Sequence, residues 1–417
     1  GGGLAGMTAA VDLAGQGFQV HLLEKEKELG GNLRHVHGTL KGEETAVALA
    51  ELCDKVVKHP LINLYMNAKI KNINGYIGNF KTTLKTPKAE IEHGVVIVAT
   101  GAEEYQPEEY LYKQNGKVIT QRKFEEMLVE SDQSFSAELH MKTDKPDFST
   151  INTVVMIQCV GSREEERPYC SRICCSCAIK NAIKLKEINP KAQVFILFRD
   201  IRTYGLREKY YRIAREKGIN FIRYDVQEKP LVTEKENDLT VRVKDKILDR
   251  TLDIFPDLVI ISNGIVPNPG NKVISQLLKV PLDADRFFLE AHVKLRPVDF
   301  ATDGIFVCGL AHYPKDIGET IAQARAAAGR AATVLSKDSI EAEGKVSSIL
   351  EKRCSGCGAC VEVCAYNAIE IDLEKQIAVV NEALCKGCGA CSATCRSSAI
   401  DLRGFKNKQI LTALNTL

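Results

Sequence analysis

Two copies of one spacing constrain this chain more than any other feature. Cys354-Ser-Gly-Cys357-Gly-Ala-Cys360-Val-Glu-Val-Cys364 is followed by Cys385-Lys-Gly-Cys388-Gly-Ala-Cys391-Ser-Ala-Thr-Cys395. Each reads C-x2-C-x2-C-x3-C, the thiolate spacing of a [4Fe–4S] site, with three ligands from one run and the fourth exchanged between runs. The spacing predicts one cluster on Cys354, Cys357, Cys360 and Cys395, and another on Cys385, Cys388, Cys391 and Cys364. The glycines between ligands let main-chain N–H groups approach the sulfurs. A zinc knuckle or a disulfide scaffold also uses cysteine, but neither requires eight in two identical runs. The proline usual after the fourth cysteine is replaced by Ala365 and Arg396. Neither position is a ligand, and Arg396 brings a charge near one cluster.

Composition sets the surroundings for that chemistry. The length of 417 residues predicts two or three domains. A net charge of +2 implies neither nucleic acid nor an anionic membrane as partner. No apolar run reaches the roughly 18 residues of a membrane span. Fifteen cysteines without a secretory signal point to metal and redox chemistry in a reducing, cytoplasmic setting. The chain begins Gly1-Gly-Gly3, without the strand that a glycine-rich turn leaves from, and is expected to be truncated at its N-terminus.

That first turn, Gly1-Gly-Gly3-Leu4-Ala5-Gly6, fits G-x-G-x-x-G. A helical pattern (Met7 to Gly15) and a strand ending at Glu24 follow. Such a turn brings a pyrophosphate onto a helix N-terminus, and the acidic residue after the second strand grips ribose hydroxyls. NAD and FAD share the fingerprint. Glu24-Lys25-Glu-Lys-Glu-Leu-Gly30-Gly31-Asn32 resembles the segment passing the flavin in flavoproteins with two dinucleotide-binding domains. Val95-Val-Ile-Val-Ala-Thr100-Gly101 and Thr302-Asp303-Gly-Ile-Phe-Val-Cys-Gly309 resemble two later strands of those families. The three matches in order imply FAD. Between them, residues 43–58 read as a helix and residues 61–86 as short strands, with turns at Asn74-Gly75 and Gly78-Asn79. Cys53 and Cys308 read as core.

In that architecture a second Rossmann-like domain, inserted at about residue 116, carries its own glycine-rich turn for NAD(P)H. Here the strand Thr153–Gln158 leads instead into Cys159-(x10)-Cys170-Ser-Arg-Ile-Cys174-Cys175-Ser-Cys177. Without the close-approach glycines no NAD(P)H site is expected. Two readings compete for the cysteines. Cys174 and Cys177 form C-x-x-C at a helix N-terminus, as a redox dithiol would. Alternatively Cys159, Cys170, Cys174 and Cys175 hold a third, irregular [4Fe–4S] cluster. Five cysteines in nineteen residues exceed what a dithiol needs, which favours the cluster.

Longer motifs make the resemblance closer. Ile157-Gln-Cys-Val-Gly-Ser-Arg163, Arg167-Pro-Tyr-Cys-Ser-Arg-Ile-Cys-Cys175, Arg199-Asp-Ile-Arg-Thr-Tyr-Gly205, residues 288–303 and Gly309-Leu-Ala-His-Tyr-Pro-Lys315 resemble the A subunit of heterodisulfide reductase, in a short, bacterial-type form. The resemblance covers essentially the whole chain. It implies a thioredoxin-reductase-like FAD domain, a central cluster on Cys159 to Cys175, and a two-cluster ferredoxin module. It also implies electron bifurcation or confurcation at the flavin, between a low-potential ferredoxin route and a disulfide route. The implied partners are disulfide-reducing and cluster-relay subunits, ferredoxin, and an electron-input module such as a hydrogenase, a formate dehydrogenase or an NADH-oxidising unit, with dimerisation inside the complex. The runner-up is a self-contained FAD-dependent disulfide reductase using Cys174 and Cys177.

The expected organisation is an α/β, Rossmann-like flavoprotein with a C-terminal α+β ferredoxin domain. Residues 1–115 and 286–335 form the FAD domain. Residues 116–285 form the insert, 345–404 the ferredoxin domain and 405–417 a terminal helix docked on this chain or on a partner. Residues 336–343 read as a polar linker. The FAD contacts are expected from Gly1, Gly3, Leu4, Ala5, Gly6, Glu24, Lys25, Gly31, Asn32, Thr100, Gly101, Gly309, Lys315, Glu319 and Thr320. No side chain reads as acid, base or nucleophile. Lys315, just before an Ala-rich helix, is placed to favour negative charge on the reduced ring.

Overall fold

A computed structural model of the chain describes residues 1–131, 148–236, 238–339 and 344–416. The first unit opens with α1 (Leu4–Gly15), β1 (Val20–Leu23), α2 (Thr45–Lys58) and β2 (Ile62–Tyr65), with β1 and β2 paired in parallel. An antiparallel meander follows: β3 (Lys69–Tyr76), β4 (Asn79–Thr86) and β5 (Ala89–His93). Gly78-Asn79 sits at the β3–β4 turn, as the sequence predicts. Asn74-Gly75 does not turn; it lies inside β3, where Gly75 pairs with Phe80. The alternation that buries Phe80, Thr82 and Leu84 of β4 fixes the register, and with it the later turn. The unit continues with β6 (Val96–Val98) and β7 (Ala102–Glu104).

The insert is a five-stranded, all-parallel sheet flanked by helices. Its elements are β8 (Val118–Thr120), α3 (Gln121–Ser131), β9 (Thr153–Val160), α4 (Cys174–Ile188), β10 (Gln193–Phe198), α5 (Glu208–Glu216) and β11 (Asn220–Arg223). An antiparallel trio follows, β12 (Leu231–Lys235), β13 (Asp238–Asp245) and β14 (Arg250–Ile254), before β15 (Leu258–Asn263) completes the sheet in the order β11-β10-β9-β15-β8. Strands buried on both faces read as continuous apolar runs, and β9 and β15 do so. β16 (Ile265–Pro267) pairs antiparallel with β7, so the outgoing and returning chains cross side by side.

The return segment carries α6 (Asn271–Leu278), β17 (Ile305–Val307), paired in parallel with β6, and α7 (Ile317–Leu335). α6, within the span expected for the insert, packs Leu278 with Phe80, Phe288 and Phe300 of the first unit. α1 and α7 meet through Ala5, Ala9, Ala324, Ala327, Ala328 and Ala331; these small side chains let the two helices approach closely.

The last module has two similar halves. β18 (Ser347–Ile349) leads to α8 (Ala359–Val363), β19 (Ile369–Asp372) and β20 (Ile377–Val380). α9 (Ala390–Thr394) and β21 (Ile400–Leu402) follow, with β18 paired to β21 and β19 to β20. α10 (Asn407–Asn415) ends the described chain, and its residues 408–415 are all exposed. It is not docked on this chain: Ile410, Leu411 and Leu414 stay open to solvent, with no apolar surface of the described residues covering them. Residues 340–343 of the expected linker lie outside the described residues. Among the described residues, no helix is long and apolar enough to cross a membrane.

Candidate functional site

A cleft of about 1760 Å³ runs from the first glycine turn to the insert. It is lined by Gly1, Gly3, Leu4, Ala5, Gly6, Glu24, Lys25, Gly31, Asn32, Thr100, Gly101, Lys315 and Thr320, and on the insert's side by Cys174, Ser176, Cys177 and Tyr204. The glycines divide their work. A Cβ on Gly6 would collide with the Gly1 carbonyl, so that glycine serves the turn itself. A Cβ on Gly3 would meet only the Gly31 Cα, at 3.9 Å. The turn therefore faces open space at the start of α1, a cradle that fits a dinucleotide pyrophosphate.

Glu24 is buried, with its carboxylate accepting from the Gly2 N–H at 2.5 Å and the Glu26 N–H at 2.8 Å. Lys25 is largely exposed and pairs with Glu26 and Glu103. Asn32 donates to the Ala102 carbonyl at 2.8 Å. Thr100 turns its hydroxyl to Asn271 Oδ1 at 2.9 Å, which ties the strand end to α6. Farther along, Lys315 is only 8% exposed. Its Nζ donates to the carbonyls of Gly309 (2.6 Å) and Tyr313 (2.7 Å). Burial, and then the Arg172 charge, pull its pKa down to about 8. Glu319 closes a capping box with Asp316 at the start of α7, and Thr320 is buried beside Gly309.

In the insert the corresponding crevice is filled by the chain itself. β9 ends in Cys159, at φ 65°, and Gly161, at φ 66°. A Cβ on Gly161 would overlap the Tyr105 ring. The Arg167 guanidinium stacks on that ring, 4.5 Å from its centroid, and donates to the Gly161 carbonyl at 2.9 Å. The close approach that a nicotinamide dinucleotide would need is taken by an aromatic ring.

The central cysteines gather behind this plug. Cys159, Cys170, Cys174 and Cys175 all lie within electrostatic reach of one another. Cys174 Sγ faces the Asn263 carbonyl at 3.8 Å, Cys175 Sγ faces the Asp200 carbonyl at 3.7 Å, and the Arg172 N–H donates to Cys170 Sγ at 3.3 Å. Burial pushes the Cys175 thiol up to about 12 and Cys174 well above the ordinary range. Burial also raises Cys159, against the pull of Arg163 and Arg199. Arg163 Nη1, on a side chain within reach of Cys159, is buried without a hydrogen-bond partner among the described residues. Buried donors without acceptors are rare, and the sulfides and thiolates of a cluster are acceptors of the missing kind. Cys177 also lies within electrostatic reach of Cys174; burial raises it to about 11, against the opposing charge of Lys180, whose ammonium pairs with buried Glu125 at 2.6 Å.

The C-terminal sites repeat each other. The Ala378 N–H donates to Cys354 Sγ at 3.3 Å and the Ser347 N–H to Cys385 Sγ at 3.3 Å, each from the strand packed on that ligand loop. The Ala368 and Ala399 N–H groups donate to Cys364 and Cys395 at 3.2 Å. Gly358 and Gly389, both at φ 80°, start α8 and α9, which place Cys360 and Cys391 inward; Cys357 and Cys388 are exposed. N–H···S bonds of this kind suit cluster-bound thiolates. Among the described residues, no three His, Cys, Asp or Glu side chains converge tightly enough for a single metal ion. A cubane cluster holds its thiolates wider than an ion does.

Comparison with known proteins bears on both ends of the chain. A 4Fe-4S dicluster domain model matches residues 353–399, and an NAD(P)-binding Rossmann-like domain model matches residues 1–47. The second of the CoB--CoM heterodisulfide reductase iron-sulfur A subunits of Methanopyrus kandleri is 34% identical over 458 aligned positions, covering 89% of this chain and 69% of that protein. The chain belongs to the family of heterodisulfide reductase A subunits. The A subunit of the H(2):CoB-CoM heterodisulfide,ferredoxin reductase of Methanothermobacter marburgensis is likewise 34% identical, over 89% of this chain and 69% of its own length. As a homologue of the heterodisulfide reductase A subunits, the chain is an oxidoreductase, an iron–sulfur flavoprotein with an electron-transfer role. Thioredoxin reductase of T. acidophilum superposes with a TM-score of 0.55 at 17% identity, over 81% of this chain and 97% of that one. The fold is thus thioredoxin-reductase-like, with a C-terminal dicluster ferredoxin module.

Sequence reasoning missed the residues that join these parts. Tyr105, Arg207 and the Glu125–Lys180 pair carried no signal of their own. Arg172, Arg199 and Tyr204 stood inside motifs already singled out, but without a role.

Proposed function

We propose that this homologue of the heterodisulfide reductase A subunits is the FAD- and cluster-bearing component of a larger complex, in which electron pairs are split or merged between a low-potential ferredoxin route and a disulfide route. The observation that carries the reading is the contrast between an open glycine cradle at Gly3 and a plugged crevice at Gly161. Electrons exchanged at the first site then have cysteine-held clusters, not a nicotinamide, as their path. A bound FAD supplies the exchange between two-electron and one-electron chemistry. Gly3 and the first turn of α1 hold its pyrophosphate, Glu24 its ribose, and Lys315 with the start of α7 the ring end.

Twelve cysteines serve as ligands on this reading: Cys354, Cys357, Cys360 with Cys395; Cys385, Cys388, Cys391 with Cys364; and Cys159, Cys170, Cys174 with Cys175. The four thiols of the central set must lose their protons to bind iron, which Arg163 and Arg199 favour at Cys159. Partner subunits that reduce a disulfide, relay electrons or feed them in, together with ferredoxin, complete the proposal, as does a dimer in the cytoplasm. The dithiol reading needs a thiolate at Cys174 or Cys177, and burial raises both.

Iron and acid-labile sulfide analysis of anaerobically purified protein tests this. Three clusters give about twelve irons per chain, and two give about eight. NADH is expected to leave the flavin of the isolated protein oxidised; rapid bleaching by NADH alone would sink the proposal.

A further inference from the structure

We infer that Arg172 is a positioning residue that ties the central cysteine loop to the Lys315 side of the cleft, its main-chain N–H on the loop and its guanidinium on the residues around Lys315, so that one residue couples the two. The inference rests on the reading of Cys159, Cys170, Cys174 and Cys175 as cluster ligands. Arg172 sits inside that loop, between Cys170 and Cys174. Its backbone is left-handed, at φ 63°, and its N–H donates to Cys170 Sγ at 3.3 Å. Its side chain reaches the other way, across the seam between the insert and the first unit. Nη1 donates to the Pro314 carbonyl at 3.1 Å, and Nη2 to the Tyr204 hydroxyl at 2.7 Å and to Glu319 Oε1 at 2.5 Å.

One of those partners lines the cleft and the other two adjoin residues that do. Pro314 directly precedes Lys315, Glu319 lies in the first turn of α7, and Tyr204 lines the cleft. A second ion pair, Arg207 to the N-capping Asp316, closes the same seam, so the strut is held on both sides. The Arg172–Glu319 pair is about a third exposed on each partner, so water weakens it without screening it out.

A fixed positive charge favours the more negative, reduced state of any centre beside it. Arg172 brings its charge to the cleft side and its main-chain N–H to Cys170, so its loss is felt at both: as a lost charge on one side and as a released ligand loop on the other. Lys180 does not share this property: its ammonium binds the Gly38 carbonyl and Glu125.

The test is redox titration of the full chain, with the flavin followed by absorbance and the clusters by EPR, in wild type, Arg172→Gln, Arg172→Lys and Glu319→Gln. Arg172→Gln is expected to lower the midpoint potentials of the flavin and the central cluster together, leaving the C-terminal clusters unshifted as the internal reference. Arg172→Lys keeps the charge but not the fork, and is expected to recover part of the shift at both centres. Glu319→Gln removes a negative charge from the ring end only and is expected to raise the flavin midpoint more than that of the cluster. A shift at one centre alone, or at neither, with about twelve irons retained, overturns the bridging role while leaving the proposed function intact. About eight irons in the wild type overturns the central cluster and this inference with it. Where Arg172→Gln loses iron, Arg172→Lys carries the decision: unchanged midpoints at both centres, despite the lost Tyr204 and Glu319 contacts, overturn it.

Discussion

The two Rossmann-like units of this chain are built alike and finished differently. In each a glycine-bearing turn leads to a helix, and a parallel strand follows that helix. At Gly3 the space in front of the turn is open. At Gly161 it is occupied by Tyr105, which is itself clamped by Arg167. The helix after the first turn begins with Leu4-Ala5-Gly6, small and uncharged; the helix after the second begins with Cys174-Cys175-Ser-Cys177. Scaffold geometry therefore does not decide what a dinucleotide-type crevice binds. What enters the turn does, and in the second unit the chain's own side chains enter it.

The largest effect that would sharpen this comparison comes from filling the first turn as the second is filled. Gly3→Val puts two methyl groups into the open cradle without touching the Gly1–Gly6 contact. Flavin affinity is expected to fall on the order of 100-fold or more, equivalent to about 2.7 kcal/mol, with far-UV circular dichroism unchanged. Retained flavin would show that the cradle is not its site. Next in size, Cys170→Ser should remove about four irons per chain while the protein stays yellow. Loss of flavin as well would mean that the two units do not bind their cofactors separately.

A smaller effect concerns protons. Lys315 is charged below about 8 in the folded chain, whereas an ordinary lysine holds its proton to near 10.5. Between those values the unfolded chain binds more protons than the folded one, so this residue makes stability rise with pH. Compared with Lys315→Met, flavin-free wild type should gain roughly 1–3 kcal/mol across that window, read as a difference in the pH dependence of the melting temperature. Parallel pH profiles for the two proteins would place Lys315 in water and not in the cleft wall.

How much of this was legible follows from the range of each interaction. The twin cysteine runs and the Gly1–Gly6 turn are local patterns, and one periodicity or spacing states them completely. The start of α4 at Cys174 is equally local, since the C-x-x-C of Cys174 and Cys177 reads as a helix N-terminus. Asn74-Gly75 looks like a hairpin turn in isolation and became strand only because β4 pairs through it. The interactions that separate the two units cannot be read locally at all. Tyr105 meets Gly161 across 56 positions of sequence, and Arg172 meets Glu319 across 147. No pattern within either segment points to the other.

The seam between the flavoprotein body and the ferredoxin module is ionic. Arg330 of α7 pairs with Asp299 at 2.9 Å, and Arg296 reaches Asp299 at 3.5 Å and Asp303 at 3.7 Å. Asp303 in turn pairs with Lys386, which sits between Cys385 and Cys388. Five charges of alternating sign thus run from α7, whose first turn borders the cleft, to a cysteine loop of the ferredoxin module. Most of them are partly exposed, and attractions of that sort fade as the Debye length shrinks from about 10 Å at 0.1 M salt to about 3 Å at 1 M. Concentrated salt should therefore let the module drift from the body and slow electron passage between them, with Lys386→Gln mimicking the effect at low salt. Ionic strength would then act as a throttle on the protein's internal conductance, with no cofactor lost.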